Sequence, residues 1–293
     1  LVNQQLNIGQ FIAAEIVIIT VISSVEKLIG NLDSVYDVLT SVDKIAKITD
    51  KPLEKNGTYL LPADKAGISI EAGKISFAYD DEKYVFRDIS FRINGGETVC
   101  ITGKEGSGKS TLLKLVSGSY QGFGGSLMLN GLPVGNYELA ALRQQTGILL
   151  SQQDIFHGTL LENISMGNPD TDIQQVVHLF EEVGLTEFLG SLPAGFDTWL
   201  DPTGKRLSRN VINKILLVRA LVGQPRLLLL EEPWTHIEEP YRSRIIQLLL
   251  KEYPHTTILV VSNDLEFASL CDQVIEIKTE GCNIKKNKRT DHE

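Results

Sequence analysis

Apolar residues crowd the start of the chain and are then spaced out along it. Residues 11–22 read FIAAEIVIITVI, with Glu15 the one charge, and apolar character continues in patches from Leu6 to Leu39. A membrane-spanning helix needs about 20 mostly apolar residues. The run therefore fits either a spanning helix or an amphipathic helix packed on its own domain. The charges favour the first. Residues 3–10 hold no Lys or Arg, whereas Lys27, Lys44, Lys47, Lys51 and Lys55 all follow the run, the asymmetry of a helix whose C-terminal end is cytoplasmic. No basic segment precedes it and no A-x-A-like site follows, which argues against a signal peptide. Glu15 fits a polar pathway or bundle interior in a spanning helix, and solvent in a soluble one.

Residues 51–64 (KPLEKNGTYLLPAD) carry Pro52, Gly57 and Pro62 and read as a linker, assigned to 51–66. From Gly67 onward strand and helix patterns alternate. Strands are expected at 68–79, 85–93, 97–102, 126–130, 226–230, 257–261 and 273–277, with a charged turn at 80–83. Helices are expected at 109–117, 172–189, 210–222, 239–252 and 265–271. Such alternation implies an α/β fold with a parallel-rich sheet covered by helices. The chain thus divides into an apolar helix with its extension (1–50), the linker, an α/β domain (67–280) and a tail (281–293). The tail's KKNKRTDHE, including the Lys285–Arg289 cluster, reads as frayed and solvated.

Composition narrows the classes. Of 293 residues, 42% are hydrophobic and 22% charged, which excludes wholesale disorder. Lys and Arg number 28 against 37 Asp and Glu, a net charge of −9, which disfavours a global grip on nucleic acid. Cys100, Cys271 and Cys282 lack metal-ligand spacing and read as free thiols in a reducing compartment. His157, His178, His236, His255 and His292 show no metal spacing either. Trp199 and Trp234 read as packing residues. The chain starts at Leu1 rather than Met and is read as a piece of a longer protein.

Two motifs carry chemistry. Gly103, Lys104, Glu105, Gly106, Ser107, Gly108, Lys109, Ser110 and Thr111 match G-x-x-x-x-G-K-[ST] between a buried strand and a helix. Glycines let the backbone curl so that successive N–H groups face phosphate oxygens, and the following helix adds its dipole. Lys109 would reach the β- and γ-phosphates and Ser110 would hold Mg²⁺. The second motif is the run 227–230 of four leucines followed by Glu231, Glu232 and Pro233. A buried parallel strand ending in acids sets carboxylates at the sheet edge, beside the phosphate loop. Glu231 is placed to support Mg²⁺ and Glu232 to orient or deprotonate an attacking water.

With these landmarks in order, residues 67–277 resemble the ATP-binding domain of ABC transporters of the exporter type. Tyr79 in ISFAY matches the aromatic that stacks on adenine. Gln152 in LSQ matches the glutamine that couples Mg²⁺ to the membrane helices. Phe156-His-Gly-Thr-Leu-Leu-Glu-Asn163-Ile164 is similar to the stretch that touches coupling helices, and LPAGFDT at 192–198 to another exporter segment. The first 50 residues resemble the end of an exporter's last membrane helix, with residues 3–10 as a short external loop. The resemblance implies ATP and Mg²⁺ as cofactors. It also implies an ABC-type P-loop fold with an antiparallel β-subdomain (67–96, 126–130) and a helical subdomain (155–222). The expected setting is the plasma (inner) membrane, with this domain on the cytoplasmic side. The expected partners are a second ABC subunit in a homo- or heterodimer, the protein's own transmembrane domain and membrane lipid, with no nucleic acid. Each ATP would lie between one subunit's phosphate loop and the other's signature motif.

The departures are as informative. The family's L-S-G-G-Q signature is here Leu207-Ser208-Arg209-Asn210-Val211. Ser208 survives, but both glycines are gone, and Arg209 either obstructs the phosphates or replaces lost contacts. The usual magnesium-site Asp is Glu231, Thr235-His236-Ile237-Glu238 stands where S-A-L-D is expected, and Pro202 replaces an acid. Asn263 occupies the switch-histidine position; it can donate a hydrogen bond to a γ-phosphate but carries no charge. The expectation is an ATPase with retained binding and slow hydrolysis. A nucleotide-binding pseudo-ATPase that regulates or stabilises a catalytic partner is the alternative. An ABC-type ATPase acting on DNA or ribosomes is disfavoured by the acidic charge and by the lack of long heptad insertions.

Overall fold

In a computed structural model of the chain, the described residues are 7–51, 53–62, 64, 66–79, 83–201 and 207–287. Residues 3–6 of the expected external loop, Pro52, residues 80–82 of the charged turn, Pro202, Arg289 and His292 lie outside them. The chain divides after Lys55 into two units.

The first unit is one helix, α1 (Ile8–Thr49), of 42 residues, about 63 Å at 1.5 Å per residue. Among the described residues it is the one helix long and apolar enough to cross a membrane, judged by length and composition. The expected loop at 3–10 gives way to helix from Ile8. Asn7 caps the helix, and Gln10 accepts the Asn7 backbone N–H at 3.1 Å to close a capping box. The hydroxyls of Thr20, Ser24 and Ser41 each bond back to the carbonyl four residues earlier at 2.7–2.8 Å. These polar side chains therefore need no partner outside the helix.

The second unit comprises β1 (Ile70–Ala78), β2 (Tyr84–Ile93), β3 (Thr98–Gly103), α2 (Lys109–Val116), β4 (Gly124–Leu129), β5 (Leu132–Pro133), α3 (Leu139–Gln144), β6 (Thr146–Leu149), β7 (Gly158–Thr159), α4 (Leu160–Ser165), α5 (Ile173–Glu182), α6 (Thr186–Ser191), β8 (Trp199–Leu200), α7 (Arg209–Leu221), β9 (Leu227–Glu231), α8 (Tyr241–Glu252), β10 (Thr257–Val261), α9 (Leu265–Leu270), β11 (Gln273–Ile277) and β12 (Cys282–Lys286). The central sheet has the order β12-β11-β3-β10-β9-β6. Its strands are parallel except β12, which pairs antiparallel with β11. A second sheet, β2-β1-β4-β5, is antiparallel.

Both faces of the central sheet are buried, which explains the unbroken apolar runs. Cys100, Leu228, Leu230, Ile258 and Val260 face a core shared with α4, α5, α7 and α8. Val99, Ile101, Leu227, Leu229, Leu259 and Val261 face a core shared with α2 and the antiparallel sheet. Alternation along each strand thus divides the protein into two apolar clusters separated by the sheet.

Element ends move by one or two residues from expectation, and three readings change more. The helix expected over 172–189 is broken between α5 and α6 by Gly184 at φ 71°, where a Cβ would stand 2.3 Å from the Tyr241 ring. Lys285 and Lys286, expected to be frayed, instead complete β12 (Cys282–Lys286), anchored by the Asn287 amide to the carbonyls of Ala268 and Cys271 at 2.9 and 2.8 Å. An edge strand needs no apolar alternation, so CNIKK hid it. Trp199, expected to pack, is 64% exposed against His157, because the alternation of β8 turns Leu200 inward. Trp234 packs edge-on against Phe267 at 4.7 Å, as expected.

Residues 56–62, with Asp64 and Ala66, lie along the second unit as a strap. Gly57 approaches so closely that a Cβ would be 2.1 Å from the Asn136 carbonyl. The buried Arg226 donates to the carbonyls of Ala66 and Pro62 at 2.6 and 2.8 Å and pairs with Asp64. Truncating it strands these carbonyls, so Arg226→Ala is expected to lower unfolding free energy by about 2–4 kcal/mol. Chemical denaturation measures this; a change below about 0.5 kcal/mol, the size of an ordinary surface substitution, would show the clamp to be idle.

Candidate functional site

The phosphate loop leaves β3 at Gly103 and enters α2 at Lys109. Gly103, Gly106 and Gly108 have φ of 146°, 75° and 90°. Gly108 is doubly constrained, since a Cβ there would lie 2.6 Å from Phe86 and 2.7 Å from Val85. A side chain at this point would open the loop against the antiparallel sheet. Within the curl the Lys109 ammonium donates to the carbonyls of Gly103 and Lys104 at 2.9 and 2.8 Å. The Ser107 hydroxyl is buried and has no protein partner. An orphaned donor inside a loop that turns backbone N–H groups inward fits an anion, as a phosphate chain requires. Lys104 and Glu105 are exposed on the loop's outer turn.

The two acids at the end of β9 stand at this loop. Ser110 Oγ donates to Glu231 in a short contact, and the Ser151 backbone N–H donates to the other Glu231 oxygen at 2.9 Å. A hydroxyl and a carboxylate held together fit a Mg²⁺ site completed by phosphate oxygens and water. No cluster of three or more His, Cys, Asp or Glu side chains suited to a metal occurs among the described residues. Gln152 follows Ser151 on an exposed loop and makes no hydrogen bond among the described residues.

Glu232 takes φ 45°, and its N–H donates to the Val261 carbonyl at 2.9 Å. Its carboxyl accepts a long hydrogen bond from Ser262 Oγ at 3.4 Å. Burial pushes its pKa above the ordinary carboxylate value; Ser262 and the Lys109 ammonium oppose this, and Glu231 and Asp264 reinforce it. A carboxylate made more basic is suited to accept a proton. Asn263 follows Ser262 and is exposed.

Tyr79 brings an aromatic to the same loop. Its hydroxyl bonds Thr111 Oγ1 at 2.9 Å, and its ring meets Phe77 and Tyr120 edge-on at 5.1 and 5.6 Å. Its ring therefore stands beside the loop on a rigid aromatic support.

Ser208 and Arg209 belong elsewhere. Ser208 caps α7, accepting the Val211 N–H at 3.3 Å, and Arg209 pairs with Asp154 at 3.3 Å. Among the described residues neither has a hydrogen-bond partner in the phosphate loop. From the same helix Arg219 reaches the Asn163 carbonyl at 2.6 Å and the Asp154 carbonyl at 3.3 Å. Helix α7 thus grips the loop between Gln152 and Asn163 at two points. Lys214, also on α7, is buried beneath Tyr241 and pairs with Glu238 at 3.0 Å, while Asn210 donates to Glu238 at 2.5 Å. The Glu238 carboxyl is held below its usual pKa by a backbone hydrogen bond, then by Lys214 and Asn210.

Sequence reasoning missed the Ser151 N–H on Glu231, the Ser262 hydroxyl on Glu232 and the buried Lys214. The first is a backbone group and leaves no residue signature. The second had a signal in the small hydroxyl preceding Asn263. The third had one in the single charge within residues 211–218 (VINKILLV) of α7.

A family model described as ABC transporter matches residues 86–235, which is half of the chain. The chain belongs to the ABC transporter family. It is 28% identical over 282 residues to the "Putative multidrug export ATP-binding/permease protein YgaD" of Bacillus subtilis, covering 94% of this chain and 48% of that protein. It is 29% identical over 278 residues to the "Cyclolysin secretion/processing ATP-binding protein CyaB" of Bordetella pertussis, covering 94% and 38%. The ABC transporter chain thus spans half or less of the length of these curated relatives. A solved bacterial Atm1-family ABC exporter with ATP bound shares its fold, with a TM-score of 0.76 at 21% identity over 85% of this chain and 44% of that one.

The phosphate loop of this ABC transporter domain depends on Gly108. Gly108→Ala is expected to weaken magnesium–ATP binding by at least about tenfold, read by equilibrium titration with a fluorescent ATP analogue. Unchanged affinity would mean that Phe86 and Val85 yield and the loop is not rigid.

Proposed function

We propose that this chain forms the end of the membrane domain and the ATP-binding domain of an exporter subunit, and that it binds and slowly hydrolyses ATP. The observation that carries this reading is the meeting of Ser110 and Glu231 at the phosphate loop, with Glu232 next on the same strand end. Tyr79 would stack on adenine. Residues Gly103 to Thr111 would hold the phosphates, with Lys109 turning from its loop carbonyls to the β- and γ-phosphates. Ser110, Glu231 and Gln152 would hold Mg²⁺, which offsets charge on the phosphates. Glu232 would accept a proton from a water in line with the γ-phosphorus. As the new P–O bond forms, the bond to the ADP oxygen breaks, and Asn263 would donate an amide hydrogen to the γ-phosphoryl.

In a dimer, Ser208 and Arg209 would face the nucleotide bound by the partner subunit. ATP binding would close the pair and hydrolysis reopen it, driving alternating access in the membrane. Helix α1 would lie in lipid at the plasma (inner) membrane, with the ATP-binding domain on the cytoplasmic side.

Slow hydrolysis follows from two replacements. Asn263 supplies no positive charge, and Arg209 is drawn to Asp154 rather than left free at the helix start. A lost transition-state contact of roughly 3 kcal/mol costs about a hundredfold in rate.

The test is steady-state phosphate release from the full-length protein in lipid, once ATP binding is confirmed. Glu232→Gln is expected to lower release by at least about a hundredfold. Bound ATP without Glu232-dependent release would instead assign a nucleotide-gated partner subunit. Asn263→His is expected to raise turnover by about tenfold, the gain from a charged donor at the γ-phosphoryl. A native turnover of about 1 s⁻¹ or more would contradict slow hydrolysis.

A further inference from the structure

Arg242 lies outside the phosphate loop, the acidic pair and the signature segment, yet three carboxylates surround it. It sits in the first turn of α8, and its guanidinium meets three carboxylates. One nitrogen donates to Glu239 at 3.0 Å; the other donates to Glu266 at 3.0 Å and to Asp264 in a short contact. Glu239 belongs to the turn that follows Glu232, whereas Asp264 and Glu266 belong to the loop and helix start that follow Asn263. Arg242 is thus the joint between the two segments that flank the hydrolytic residues.

Asp264 transmits this anchoring in three directions. One carboxylate oxygen caps α9, accepting the N–H groups of Glu266 and Phe267 at 3.0 and 3.2 Å. The other takes Arg242. Its backbone N–H donates to Ser262 Oγ at 3.2 Å, and that hydroxyl donates to Glu232 at 3.4 Å. Ser262 is itself pinned, since its N–H donates to the Ile101 carbonyl of β3 at 3.1 Å. Asn263 lies between these two fixed neighbours, so their backbone sets where its amide can reach.

We propose that Arg242 is a positioning residue for the hydrolytic step: through Asp264 it holds the loop 262–264 against the turn 232–239, and so places the Asn263 amide and the Glu232 carboxyl together. This rests on the reading that Glu232 and Asn263 act on ATP. A planar fork that engages carboxylates on two segments fixes their spacing, which a single point charge does not. Without the guanidinium, Asp264, Glu239 and Glu266 lose their shared counter-ion and repel one another, and the loop separates from the turn. The phosphate loop makes no bond to Arg242, so nucleotide binding is spared while the chemical step suffers.

The test uses the full-length protein in lipid, with Glu232-dependent phosphate release as the measure of turnover. Arg242→Gln is expected to lower kcat by about tenfold while KM and equilibrium ATP affinity stay within about twofold, the split expected for lost positioning. Arg242→Lys keeps the charge but not the fork; it is expected to recover part of the loss, and it carries the test if the Gln variant does not fold. The Asn263→His gain is expected in the native background and to fall below about twofold beside Arg242→Gln, because two residues acting through one loop are not additive. Turnover unchanged by both Arg242 variants, or an equal Asn263→His gain in both backgrounds, would overturn the positioning role and leave the proposed function standing. Absence of Glu232-dependent turnover in both the native protein and Asn263→His would overturn the proposed function itself, and this inference with it.

Discussion

Burial of the central sheet on both faces governs where chemistry can occur in this protein. Strands β3, β9 and β10 run parallel and in register, with apolar side chains sent alternately into two separate cores. No polar group can be kept along their length without losing its water. Polar function is therefore pushed to the strand ends, and parallel strands place those ends together on one edge. Gly103 ends β3, Glu231 ends β9, and Ser262 follows β10. The phosphate loop, the acidic pair and the loop bearing Asn263 are neighbours for that reason, although 160 positions of sequence separate the first from the last.

Cations then tie this edge to the rest of the molecule. Lys109 holds the phosphate loop, Arg242 joins the two segments beside Glu232, and Lys214 joins α7 to Glu238. Arg209 and Arg219 join α7 to the loop after Gln152. The partly buried links are expensive to break, because each leaves a charge or carbonyl without a partner. The exposed Arg209–Asp154 pair is cheap to exchange. Helix α7 is thus firmly fixed along its length and loosely held at its start.

The motifs were legible because each rests on a local rule. Glycines at fixed offsets before Lys109 reveal a backbone that must curl, and four leucines before two acids reveal a strand end. The long apolar run revealed α1, and local capping by Asn7 explains why the helix starts earlier than hydropathy suggested. Other features had no local rule. Strand β12 owes its existence to the free edge of β11, not to any pattern in CNIKK. The outward turn of Trp199 follows from which neighbour, Leu200, found the core. Gly184 breaks a helix because Tyr241, distant in sequence, packs where its side chain would be.

Sequence by itself determined the class of fold, the phosphate loop, the acids at the strand end and the departures at Arg209 and Asn263. These depend on residue type at short range, where backbone geometry and periodicity leave few choices. Tertiary structure alone decided which groups serve those residues. Ser151 reaches Glu231 through a backbone N–H, Ser262 reaches Glu232 from the loop after β10, and Arg242 spans two loops that only the sheet brings together. Such pairings are made across the parallel edge, and their partners are chosen by strand order, which no stretch of residues encodes alone.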